Sequence, residues 1–113
     1  MFKKTNRLAK TKDVQTTLAS GRGFFNQFWT IKFKNGDSAD SRFTVIVSTK
    51  VAKQAVVRNR IKRVLRDFLR RNIAVLKKGD YAIIIKSRIK TLTANEIRLE
   101  MQSFLAKTKF IKS

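Results

Sequence analysis

The spacing of apolar residues changes several times along the chain, and each change predicts an element. In residues 11–20, Val14 and Leu18 stand four apart, a narrow helical stripe that Gly21 brings to a stop. Residues 24–33 are rich in aromatic and β-branched side chains, and their alternation puts Trp29, Ile31 and Phe33 on one face and Phe28, Thr30 and Lys32 on the other, which predicts a strand. Asn35-Gly36-Asp37 supplies turn chemistry before a second β-rich run, Phe43-Thr44-Val45-Ile46-Val47, within residues 42–48. The two runs read as a β-hairpin with a long loop.

Residues 54–76 contain no Gly or Pro, and Val57, Ile61, Val64, Leu65, Phe68 and Leu76 recur there at helical intervals. Lys77-Lys78-Gly79 then ends that helix with cations suited to its dipole and a glycine stop, and Tyr81-Ala82-Ile83-Ile84-Ile85 reads as a buried strand. Thr93 stands three residues before Glu96 in a capping-box arrangement, so a last helix over 94–107 is expected, with Ile97, Met101, Phe104 and Leu105 as its apolar face. The order is αβββαβα, or αββαβα if 24–33 is one strand. The expected class is α+β: a two-layer α/β sandwich with helices on a small mixed sheet, forming one domain over 1–113, with 1–10 as a mobile basic arm.

Charge changes the picture. Lys and Arg number 27 against 7 Asp and Glu, a formal charge of +20 in 113 residues, and self-repulsion of that size calls for a polyanion. The chain has no cysteine and no histidine, which removes zinc sites, thiol catalysis and the commonest general base. Its few acids are scattered, so neither a catalytic side chain nor a protein-bound metal is expected. No apolar run approaches the roughly 20 residues that span a bilayer. No apolar segment of a secretory leader follows the basic start, so a cytoplasmic protein without membrane contact is expected.

The charge is concentrated on the long helix. At about 100° per residue, Asn59, Arg63, Arg66 and Arg70 form a stripe opposite Ile61, flanked by Arg58, Arg60 and Lys62. Only Asp67 interrupts the positive charge between Lys50 and Lys78, so intrahelical ion pairing does not explain the surface. Arginine forks grip phosphate oxygens in pairs, and counterion release favours that contact. The residues alone therefore indicate nucleic-acid binding, and leave open a structural RNA-binding protein, such as a ribosomal protein, or a DNA-binding helix-turn-helix module.

The stretch 50–68, with Arg58-Asn59-Arg60-Ile61-Lys62-Arg63 at its centre, resembles the signature of the bacterial ribonuclease P protein component. Asn6-Arg7-Leu8, Gly21, the run from Phe43 to Ser48 and Gly79-Asp80-Tyr81 fall in the matching order. The resemblance implies a subunit of an endoribonuclease that removes the 5′ leader of precursor tRNA, in which an RNA subunit performs Mg²⁺-dependent hydrolysis. Its partners would be ribonuclease P RNA and precursor tRNA, with no obligate protein partner. Arg58, Asn59, Arg60, Lys62, Arg63, Arg66 and Arg70 would then contact the catalytic RNA, and Lys50 and Lys53 would extend that surface. Asn59 could meet the RNA backbone or cap the helix.

The resemblance also implies a left-handed crossover between parallel strands, against the general right-handed rule. A cleft between the first helix and the sheet would pass the single-stranded leader, lined by Val14, Leu18, Thr30 and Lys32. Relatives commonly carry aromatics where Val14 and Leu18 stand, so aromatic contacts are looked for on the strand, among Phe24, Phe25, Phe28, Trp29 and Phe33.

Overall fold

The computed structural model describes residues 6–36 and 40–111. Its elements are α1 (Thr11–Ser20), β1 (Arg22–Phe25), β2 (Trp29–Lys34), β3 (Arg42–Ile46), α2 (Ala55–Asn72), β4 (Asp80–Ile85) and α3 (Ala94–Lys107), with a 3₁₀ turn at Ser87–Thr91 before α3. The αβββαβα order and the α+β class are those read from the sequence.

Residues 24–33 form two strands rather than one because Asn26 makes a turn. Its side-chain Oδ1 accepts from the backbone N–H of Phe28 at 2.8 Å and of Trp29 at 3.0 Å. Phe28 therefore belongs to the turn and is buried, instead of sharing a strand face with Thr30 and Lys32. The predicted alternation holds across β2, where Trp29, Ile31 and Phe33 point into the core.

The sheet runs β1-β2-β4-β3, with β4 antiparallel to β2 and parallel to β3. The expected hairpin between the 24–33 and 42–48 runs is thus absent: β4 lies between β2 and β3, and the hairpin that forms is β1–β2. The physical reason is amphipathicity. Strands β2 and β3 alternate buried with half-buried residues, whereas β4 is buried along nearly its whole length and belongs in the middle.

Helices α2 and α3 cover one face of the sheet, where Ile61, Leu65, Phe68, Met101 and Phe104 meet the rows Trp29–Ile85, Ile31–Ile83 and Phe33–Tyr81. Trp29 meets Phe104 edge to face, ring centroids 5.8 Å apart. Helix α2 stops at Asn72, short of the predicted 76, because Asn72 Nδ2 turns back to the Phe68 carbonyl and the chain tightens over 73–76. Leu76 remains buried but pairs with Ile111 outside the helix. The capping box of α3 forms as expected, with Thr93 N–H on Glu96 Oε1 at 2.9 Å and Glu96 N–H on Thr93 Oγ1 at 3.2 Å.

Helix α1 lies on the opposite face of the sheet. Its seat is Thr17, fully buried, together with Asp13, which reaches Arg42 of β3. Of the expected mobile arm, residues 1–5 lie outside the described residues, and 6–8 are not an arm. Asn6 Nδ2 donates to the Ser41 carbonyl, Leu8 N–H donates to the Phe43 carbonyl, and the Leu8 side chain is only 2% exposed. An apolar residue inside the basic stretch anchors it to the edge of β3.

Candidate nucleic-acid interface

Burial of Ile61, Val64, Leu65, Phe68 and Leu69 fixes the rotation of α2, and so decides which side chains remain in solvent. Asn59, Arg60, Arg63 and Arg66 are exposed on the outer side, with Lys62 and Arg70 half-buried at the margins. Lys50 and Lys53 are exposed on the segment leading into the helix. Among the described residues, none of Lys50, Lys53, Arg60, Lys62, Arg63 and Arg66 takes part in an ion pair. The first turn contains no acid, so the positive end of the helix dipole adds to the same field.

Two of the predicted contact residues have intramolecular work. Arg58 Nη1 donates to the carbonyls of Ala52 at 2.8 Å and Lys53 at 2.7 Å, clamping the segment that carries Lys50 and Lys53 onto the start of the helix. Arg70 Nη2 lies 2.8 Å from Asp67 Oδ1, and Arg71 Nε lies 3.2 Å from Asp67 Oδ2. The hydrogen bond from Arg70 holds the Asp67 carboxyl below its usual range. Asn59 is not a cap, since the N-cap position is Gln54; its amide is free for an external partner.

The second predicted surface lies across the sheet. Thr30 and Lys32 stand in register with Ile84 and Ala82 of β4, on the face that α1 packs against. Val14 and Leu18 are half-buried on α1, flanking Thr17 rather than forming the helix's main seat. A threonine carries the packing contact because its Oγ1 donates to the Asp13 carbonyl and so satisfies itself within the helix.

Of the five aromatics looked to on the strand, one belongs to this face. Phe25 is in register with Thr30 and is 74% exposed. Lys86 Nζ sits 5.3 Å from the Phe25 ring centroid and donates to the Asn26 carbonyl at 2.7 Å. The signal was the Asn26 turn, which puts Phe24 and Phe25 on opposite faces of a short strand.

Among the described residues no group of three or more metal-ligating side chains comes together, and no helix is long and apolar enough to cross a membrane.

Comparison with known proteins gives a consistent result. The family described as ribonuclease P matches residues 2–109. The ribonuclease P protein component of Bacillus velezensis is 32% identical over 112 residues, covering 98% of this chain and 96% of its own. That of Macrococcus caseolyticus is 31% identical over 102 residues, covering 89% and 88%. The structure of the Staphylococcus aureus RNase P protein superposes with a TM-score of 0.87 at 25% identity, covering 95% of this chain and 98% of that one.

Proposed function

We propose, for a chain that belongs to the ribonuclease P protein family, a division of labour between two faces of one small sheet. As a ribonuclease P protein component it is a subunit in the 5′ maturation of tRNA. The exposed face of α2, with Asn59, Arg60, Arg63 and Arg66, docks on ribonuclease P RNA, and Lys50 and Lys53 extend the contact on the segment that Arg58 clamps. The α1 face, with Val14, Leu18, Thr30 and Lys32, receives the single-stranded leader of precursor tRNA, and Phe25 supplies the stacking platform that α1 lacks.

The RNA subunit performs the hydrolysis and holds the Mg²⁺ ions it requires. The protein supplies positioning: it holds two RNA segments on opposite sides of a rigid sheet and neutralises phosphates that would otherwise repel each other. Its place of work is the cytoplasm. The observation that carries this reading is the ion-pair-free cationic strip on α2, whose rotation the core fixes. Family membership sets aside the ribosomal-protein alternative. The flanking of α2 by parallel strands, with no helix preceding it at a short turn, sets aside the helix-turn-helix module.

Reconstitution with the cognate catalytic RNA tests the proposal. The chain should lower the Mg²⁺ concentration needed for leader removal and tighten binding of precursor tRNA more than of leaderless tRNA. Equal binding of the two would remove the leader surface from the account. No effect on cleavage would remove the whole assignment.

A further inference from the structure

A third cationic surface lies at one end of the sheet, where the end of α1, the β1–β2 edge and the turn after α3 meet around a cleft of about 500 Å³. Arg22, Lys34, Lys77 and Lys109 line it and no acidic side chain does. None of these cations is in an ion pair among the described residues. Phe24, Phe33 and Phe110 form its apolar part. The Arg22 guanidinium lies 5.5 Å from the Phe24 ring centroid, and Lys77 Nζ lies 5.3 Å from that of Phe33.

An unusual backbone conformation shapes this cleft. Lys109 has φ +65°, the left-handed conformation usually left to glycine just after a helix. That turn lets the Phe110 carbonyl accept from Lys77 N–H at 2.7 Å and sets Ile111 beside Leu76. Lys77 and Lys109, distant in sequence, are thereby held at the rim of one cleft. Four cations around a cleft that no acidic side chain lines repel one another, and a bound polyanion removes that cost.

We infer that this cleft binds a nucleotide unit of single-stranded RNA, its phosphates against Lys77, Lys109, Lys34 and Arg22 and its base against the half-buried ring of Phe24. An unpaired strand suits the site because it offers both charge and a free base face to an aromatic wall. The inference rests on the reading of the chain as an RNA-binding subunit, and adds a contact at the end of the sheet beyond the strip on α2 and the residues Val14, Leu18, Thr30 and Lys32.

The test uses the full chain and a labelled short oligouridylate, with fluorescence anisotropy read over a series of salt concentrations. The Lys77→Gln/Lys109→Gln double variant should bind about tenfold more weakly and lower the log–log salt slope by about 1.4, at roughly 0.7 per neutralised phosphate on a single strand. Lys109→Gly removes one charge while relieving the left-handed strain, so it should weaken binding without lowering the melting temperature. Phe24→Leu should weaken the oligouridylate and leave inorganic phosphate competition unchanged. Unaltered affinity and slope in the double variant, or a Phe24→Leu protein that binds as before, would overturn the inference; the latter would mean an anion site only. The outcome is separable from the subunit assignment. A chain that fails to support leader removal yet loses oligouridylate binding with Lys77 and Lys109 keeps the cleft and loses the assignment, and the reverse result does the opposite.

Discussion

Arg42 on β3 grips Asp80 at the start of β4 through two parallel hydrogen bonds, Nε to Oδ1 at 2.8 Å and Nη2 to Oδ2 at 2.7 Å. Its remaining nitrogen lies 3.3 Å from Asp13 of α1, so one guanidinium ties two parallel strands to the helix above them. Asp80 is 4% exposed and depends on this partner. Arg42→Met should therefore lower stability by about 2–3 kcal/mol, because it strands a buried carboxylate while Arg42 itself keeps some solvent contact. Urea unfolding measures it as a lower midpoint at constant slope. A loss below about 0.5 kcal/mol would class the pair with ordinary surface bridges.

Arg58 and Arg63 share a helix and a charge but should separate in experiment. Arg58→Ala removes the donor from two carbonyls and should cost about 1–2 kcal/mol of stability. Arg63→Ala leaves the fold within about 0.5 kcal/mol. It should flatten the salt dependence of binding to ribonuclease P RNA by roughly one for each phosphate that is no longer neutralised. Thermal melts and RNA titrations on the same two proteins decide it. An Arg63→Ala variant with an unchanged slope would show that Arg63 does not touch a phosphate.

Tyr81 is the only tyrosine, so its ultraviolet absorbance reports one site in the core. Burial pushes its phenol well above the ordinary value, and its hydroxyl donates to the Lys77 carbonyl. Because the folded value is raised, the stability linked to this group is fully present below the unfolded value of about 10 and is lost as pH rises beyond it. Native protein should show no tyrosinate band at a pH where denatured protein shows it fully. Coincident titration curves in buffer and in guanidinium would contradict this packing.

Gly79 precedes β4 with no room for a side chain. A Cβ there would overlap the Phe33 ring and come within 2.8 Å of the Lys34 carbonyl. Gly79→Ala should destabilise by about 1–3 kcal/mol through overpacking. A melting temperature equal to that of the parent would show that the ring has space to withdraw.

The parts legible in the sequence were those governed by local chemistry. Thr93 and Glu96 announced the start of α3, and the period of Ile61, Val64, Leu65 and Phe68 set the buried side of α2, hence the exposure of Arg63 and Arg66. Where long-range competition decides, the sequence was silent. Nothing local to β2 or β3 reveals that both would rather pair with β4 than with each other. Nor does a basic N-terminal stretch reveal that Leu8 has a slot beside Phe43. Arg58 looked like its neighbours because charge is visible in a sequence, while the carbonyls of Ala52 and Lys53 that claim it are visible only in space. Phe25 could be named only as one of five aromatics, because the Asn26 turn that decides which of them stays exposed breaks the alternation of 24–33.

The central position of β4 also has a meaning in time. Strands β2 and β3 leave the ribosome first, and β2 already has β1 beside it, yet β3 must wait for residues 80–85 for its partner and β2 for its second, and α2 is made in between. The core cannot close around α2 until the chain has grown past the arginines. Until then those arginines hang on an unfinished scaffold, and the cationic strip acquires a fixed orientation at the moment the last strand slides between the other two. In newly made protein the RNA-docking helix thus gains its fixed orientation only once residues 80–85 have joined the sheet, which ties partner recognition to the later part of synthesis.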